Sequence, residues 1–507
     1  MKYKIALLSA ILVFALLHSC NKMDVFPSDQ INTGSLGNTT DGIINVTNGN
    51  YALFKDQVVF NGFVDDNNQY LRQYFQMSGF AADDIVCGQK TEDPLYYSFT
   101  LTHSPDQANS RFFWYVSYKI VNGANTVIEI INDKDDKDEM ILQLLGENYF
   151  LRALMHFNLL KFYAKPYTHG DPNSNLGVIL RKSTSEDGNK ARATVKEGYD
   201  FIIEDLLRAT SLMSIDRGSQ YASKEAAWAL LSRLYLYMED HNKTIAYADS
   251  VINSGRFSLE SSSTYPDYFP NALSRNETIF SIAFTPADNR GKFGSIASML
   301  YSDGNSGWGE EFASQSLRDL MDDHLEDVRW AYIDTSFSDN GDVRKKNGIE
   351  VYYITKFSFQ DGDPNLSSPV MFRLAEMYLN RAEAYAKMGN EGNALADVNE
   401  IRSQRGLEGA LITGVPSGST ILEVVLNERR IELAFEGHRA MDLYRNKQNM
   451  IREYWGYHLK NLNSNDIDLS SPPTGYDNLK VDWNDPRIIY YIPVDEILAN
   501  NLCIQND

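Results

Sequence analysis

The chain has 507 residues, 43% apolar, 23% charged, with a formal net charge of −21. That length can bury a large core and allows two to four domains, although no Pro/Ser-rich or charge-run linker divides it. The acidic excess repels phosphate backbones and anionic lipid, which argues against a nucleic-acid partner, and three cysteines make neither a disulfide framework nor a zinc site.

At the N-terminus, Lys2 and Lys4 precede an uncharged, mostly apolar run from Ile5 to Leu17, followed by His18, Ser19 and Cys20. The run is too short to span a bilayer and reads as the core of a signal peptide over 1–19. Cys20 stands where a bacterial lipoprotein is cleaved and acylated, with apolar Leu17 and small Ser19 before it and His18 in place of the usual small or β-branched residue. Plain secretion without lipid is the alternative. No later window is long and apolar enough to cross a membrane, so the predicted chain is anchored and not spanning. Loss of Lys2 and Lys4 takes the charge from −21 to about −23. Cys87 and Cys503 either pair in an oxidising compartment or are buried thiols.

Residues 20–42 are polar and read as a tether. Ile43–Tyr74 predicts helices with an intervening turn, and Phe80–Leu101 predicts loop and short strand. Arg111–Asn132 and Met140–Tyr163 predict a helical hairpin; Trp114 and Tyr118 sit at core spacing on the first, and the second is apolar on more than one face. Thr194, with Glu197 three residues on, opens a helix over Val195–Met213. Ala226–Gly255 and Phe372–Gly406 resemble each other, each an alanine-bearing helix, a polar turn and a second such helix. Tyr237 stands to Ala246 as Tyr385 stands to Ala394, a large residue set against a small one as in tetratricopeptide-type hairpins. The predicted fold is therefore mainly α: tetratricopeptide-like hairpins, chiefly in 110–255 and 370–450, form a scaffold within one domain over 43–507. Loop-rich insertions at 60–105 and 260–369 and a few short strands complete it. Ile489–Asn506 predicts a short strand and then a short helix.

In and just before Asn427–Arg445, Val424, Ile431, Phe435 and Leu443 mark an apolar face. Glu428, Glu432, Glu436, Arg439, Asp442 and Arg445 make a charged ridge. The glutamates call for cations, with Arg429, Arg430, Arg439 and Arg445 as candidate partners within the helix or across to a neighbour; a solvated polar face is the plain alternative. Gly437 breaks or caps the first helix.

NERRIELAFEGHRAMDLYR resembles the C-terminal signature of the SusD/RagB family of surface lipoproteins of gut Bacteroidota. The similarity extends to FLRALMHFNLLKFY around Arg152, EAAWALLSRLYLYMED, RLAEMYLNRAEAYAKMGN, and Ile492, Pro493, Glu496, Asn500, Gln505 and Asn506 at the end. The resemblance implies a lipid-anchored protein of the outer membrane and cell surface that binds nutrient glycans beside a SusC-like TonB-dependent transporter. It carries over scaffold positions only.

A sugar offers hydroxyls and apolar C–H faces, so its site needs flat rings flanked by amides and carboxylates. Trp308, Tyr301, Asp303 and Asn305 meet that description in the glycine-rich stretch Asn289–Glu311; Asp83, Asp84, Gln89 and Tyr96 meet it in Phe80–Leu101. Packing beneath a loop is the plain reading of Trp308, and a helical first turn that of Glu310 and Glu311. Adjacent acids point apart, unlike the facing carboxylates of a glycosidase, and no HExxH, phosphate loop or GxSxG motif occurs. No cofactor, metal or catalytic residue is expected. The leading expectation is a glycan-binding lipoprotein that passes oligosaccharide to its transporter; the alternatives are a helical-repeat adaptor for protein, or a glycoside hydrolase.

Overall fold

The computed structural model describes residues 37, 39–62, 64–65, 69–87, 94–335, 337, 340–346, 349–452 and 480–507, with backbone only at 94–96 and 349. The signal peptide over 1–19, Cys20, the tether as far as residue 36, Gln89 and most of Tyr454–Asn484 lie outside the described residues.

Helices α1 (Thr40–Ala52), α2 (Tyr70–Gly79) and α3 (Pro94–Thr100) lead to the long pair α4 (Ala108–Asn132) and α5 (Glu139–Tyr163). Because α5 is apolar all round, it is buried almost throughout, between α4 and α6 (Val195–Leu212). Its polar positions are partnered: Arg152 pairs with Asp205 at 2.7 Å, and Glu147 takes Arg217 at 2.7 Å and the Tyr51 hydroxyl at 3.1 Å. That satisfies the rule that buried charge must be matched. Thr194 and Glu197 form the predicted capping box on α6.

The two repeats are helical hairpins, α7 (Lys224–Tyr237) with α8 (His241–Ile252), and, after the insertion, α11 (Leu374–Lys387) with α12 (Glu391–Ser403). The second nests as predicted, with Ala394 fully buried in a cluster that includes Tyr385. The first does not: Ala246 is exposed, Thr244 and Ala248 face inward, and Tyr235 stacks on Tyr247 with centroids 5.6 Å apart. Hairpins distant in sequence meet through α8 and α11, where Arg381 bonds Asp249 at 2.5 Å and Asp397 at 2.6 Å.

Within the insertion lie the short helices α9 (Gly291–Gly294) and α10 (Gln315–Met321); α13 (Ile421–Glu432), α14 (Arg439–Arg445) and α15 (Val494–Ala499) follow the repeats. Among the described residues strands pair two at a time, as in Thr278–Ser281 with Val370–Arg373 and Ile85–Cys87 with Glu311–Ala313. Glu311 therefore sits in a strand and not in a helical first turn; the helix starts at Gln315, capped by Ser314. No strand precedes α15 among the described residues at 489–493. Cys87 and Cys503 are buried and are not joined in a disulfide, and burial pushes the Cys503 thiol up to about 11.

The charged ridge is sealed, not solvated. Glu428, Glu432 and Glu436 are 3%, 0% and 7% exposed, and none pairs with an arginine of its own stretch. Glu432 takes Arg329 at 3.1 Å, Arg373 at 2.6 Å and Arg405 at 2.8 Å. Glu428 takes Arg329 and Arg402, and Glu436 takes Lys356 and Arg373. Burial alone would raise the Glu432 carboxyl, but the three guanidiniums outweigh it and hold it well below the usual range. The stretch's own arginines turn elsewhere: Arg429 to Asp442, Arg445 to Glu383, Arg430 to Asp84 and Arg439 to Asp83. Gly437, at φ +81°, makes the turn between α13 and α14.

Candidate functional site: an aromatic loop

The glycine-rich stretch is a built hairpin. After the 3₁₀ turn Ile296–Met299 the chain doubles back, and the N–H groups of Trp308 and Gly309 both donate to the Ser298 carbonyl, at 2.6 and 3.1 Å. At the tip, Asp303 Oδ1 accepts from the backbone N–H of Asn305 (2.9 Å) and Ser306 (2.8 Å) and from the Ser306 hydroxyl (2.8 Å). These bonds draw its carboxyl pKa down to about 2. Close packing requires the glycines: a Cβ on Gly307 would lie 2.1 Å from the Tyr301 carbonyl oxygen. Gly309, at φ +52°, sits under the Tyr353 ring.

On this frame Trp308 is 39% exposed and Phe293 56%. They meet edge to face with centroids 5.8 Å apart, and the Lys292 ammonium lies 4.0 Å from the indole centroid. Tyr301 is half-buried and meets Tyr353 at 5.5 Å and Phe359 at 5.1 Å, both edge-on. Phe359 is 37% exposed and holds φ at +72°, a conformation costing a non-glycine residue about 1–2 kcal/mol. Asn365 ties this second turn to the loop, donating to the Ser306 carbonyl at 2.9 Å and accepting from the Ser295 hydroxyl at 3.0 Å. The result is a ring-bearing surface with exposed Asp303 and Asn305 beside it. It offers stacking faces, one amide and one carboxylate that stays charged to low pH.

The second candidate set lies elsewhere. Asp83 and Asp84 are 6% and 2% exposed; Arg439 clasps Asp83 at 2.7 and 2.9 Å, and Arg430 holds Asp84 at 2.7 Å. Burial raises the Asp84 carboxyl, whereas at Asp83 the two arginines outweigh burial and lower it. Both acids are thus engaged with the signature stretch and are not offered to a ligand. Tyr96 falls within α3, its side chain outside the described residues. Trp114 is 4% exposed, as its spacing predicts, and donates to Glu496 at 3.3 Å. Sequence reasoning missed Lys292, Phe293, Tyr353 and Phe359. Phe293, flanked by glycines at 291 and 294, carried a legible signal; Phe359 did not.

Two family models cover most of the chain. One, described as starch-binding associating with outer membrane, matches residues 66–236, and that of the SusD family matches 274–507. The chain belongs to the SusD family. Among its relatives, the SusD-like protein P2 of Formosa agariphila is 26% identical over 88% of this chain and 91% of its own length. The SusD-like protein P38 of the same organism is 24% identical over 74% and 80%. A SusD superfamily crystal structure from Bacteroides thetaiotaomicron superposes with a TM-score of 0.79 at 27% identity, covering 92% of this chain and all of that one. A laminarin-binding SusD-like protein shares the fold at 21% identity and a TM-score of 0.64, covering 92% and 98%. Among the described residues of this SusD-family chain, no helix is long and apolar enough to cross a membrane.

Proposed function

We propose that this chain is a glycan-binding lipoprotein, anchored through Cys20 at the outer-membrane surface, that hands oligosaccharide to a SusC-like TonB-dependent transporter without hydrolysing it. The observation that carries the binding role is the exposed, pre-set ring pair Trp308 and Phe293 beside Asp303 and Asn305. Family membership and the laminarin-binding relative support the ligand class. The loop's own chemistry supports binding over hydrolysis: Asp303, held down at about 2, lacks the raised pKa of a general acid, and Glu310 and Glu311 are buried. Tyr301 and Asn305 complete the proposed contact surface.

Trp308→Ala tests the site. In native gels containing soluble polysaccharides such as laminarin, the variant should be retarded less than the wild type, binding about two- to tenfold more weakly, as expected for one lost stacked ring. Thermal stability should stay put, since the residue is largely outside the core. Unchanged retardation removes Trp308 from the site, and new reducing ends on incubation with the same glycans would replace binding with hydrolysis.

A further inference from the structure

Helix α4 carries rings that the loop does not use. Arg111, Tyr115, Tyr118, Asn122 and Asn125 follow one another at steps of three and four, so they share one face. They span about 21 Å of helix axis. Two hollows open along that face. One, of about 380 Å³, is lined by Phe60, Trp114, Tyr115 and Tyr118 with Pro493 and Glu496. The other, of about 230 Å³, is lined by Asn122, Asn125, Ser183, Thr184 and again Tyr118 and Glu496. The shared residues make them one groove.

Its aromatic end is rigid. Tyr115 is 40% exposed and rests against Phe60, with centroids 5.3 Å apart. The Arg111 guanidinium lies 5.5 Å from the Phe60 centroid and is fixed by Asp495 at 2.6 and 2.9 Å. The Trp114 and Tyr118 polar groups are tied down, to Glu496 at 3.3 Å and to the Ile179 carbonyl at 2.7 Å. At the other end, the exposed Asn122 amide has no hydrogen-bond partner among the described residues, and the Ser183 and Thr184 hydroxyls lie at the rim. The charges lining the groove balance, Arg111, Lys119 and Arg181 against Asp495, Glu496 and Glu186, with Arg111 paired to Asp495 at 2.6 Å, so the groove favours neither sign of ion. Rings at one end and amide and hydroxyl groups at the other suit an elongated neutral ligand with apolar faces and many hydroxyls.

We propose that the α4 groove is a second glycan-binding site, sharing no residue with the Trp308 loop. The proposal rests on the glycan-binding reading above. A polysaccharide held at both sites on one body is retained more tightly than by either alone, because the second contact becomes intramolecular.

The test uses the full chain with Tyr115→Ala, Asn122→Ala, Trp308→Ala and the Tyr115/Trp308 double variant, run in native gels containing laminarin, soluble starch or xylan. Each single change should weaken retention about two- to tenfold, and the double change should exceed either. Oligosaccharide titration by calorimetry should give about two sites in the wild type and about one in Trp308→Ala. Asn122→Ala removes no packing group, so it reads the groove even if Tyr115→Ala lowers the melting temperature. Full retention by both Tyr115→Ala and Asn122→Ala, with loss in Trp308→Ala, overturns the groove alone. Loss in Tyr115→Ala with none in Trp308→Ala upholds the groove and overturns the loop. A wild type retarded by none of the polysaccharides overturns both.

Discussion

The signature stretch Asn427–Arg445 and the loop Asn289–Glu311 are both rich in polar and charged residues, and they end in opposite surroundings. In the signature each of the three glutamates meets cations from other elements, so charge can be sealed at 0% exposure, as at Glu432. At the tip of the loop the polar groups satisfy one another within a few residues, as Asp303 does with Asn305 and Ser306, which frees the rings to face water. Composition does not separate the two cases. What separates them is the sequence distance over which hydrogen bonds are closed.

The sharpest way to break this contrast is Glu432→Ala, which leaves Arg329, Arg373 and Arg405 short of a shared buried partner. It should cost about 3–5 kcal/mol in denaturant unfolding, with glycan retention intact well below the melting temperature. A loss under about 1 kcal/mol would mean that the network is not structural.

Acid distinguishes the two regions next. His438, inside the signature, is buried among Arg233, Arg429 and Lys161, and burial first, then those cations, hold its pKa well below 6.5. The folded protein keeps it neutral while the unfolded chain takes up a proton, so stability falls as pH drops below about 6.5, by about 1.4 kcal/mol per pH unit for this residue. His438→Gln should flatten the melting-temperature profile between about pH 6.5 and 4.5. The loop's own acid titrates later. The Asp303 turn is intact above the unfolded carboxylate value and is lost as pH falls through about 2. Retention should therefore hold at pH values where the body is already weakened.

Smaller effects sharpen the picture. Gly307→Ala, whose methyl would collide with the Tyr301 carbonyl, should cost about 1–3 kcal/mol and most of the retention. Asp303→Ala should move stability by less than about 0.5 kcal/mol, as surface changes do, yet weaken retention by loosening the tip. Equal stability losses in these two variants would erase the distinction between frame and tip.

Much of the scaffold was legible because helices declare themselves locally. The spacing within α4 and α5, the Thr194–Glu197 box and the Tyr385–Ala394 nesting all depend on residues fewer than ten positions apart. The ion-pair partners were not legible: nothing near Glu432 marks Arg329 or Arg373 as its cations. For the same reason Asp83 and Asp84 read as open acids when Arg439 and Arg430 enclose them. Tyr235 displaced the expected Tyr237–Ala246 contact because the facing helix supplied Tyr247, a better surface than a methyl group. In the loop, Trp308 could be singled out by its glycines, whereas Phe359 entered through a separate turn with no mark in the sequence.

The clasp of Asp83 by Arg439 and of Asp84 by Arg430 joins residues 356 and 346 positions apart. An early segment that buries two acids can settle only when nearly the whole polypeptide has emerged. Contacts of that sequence separation slow assembly, and a chain cut before α13 would present to proteases a body whose acids have no cations to neutralise them.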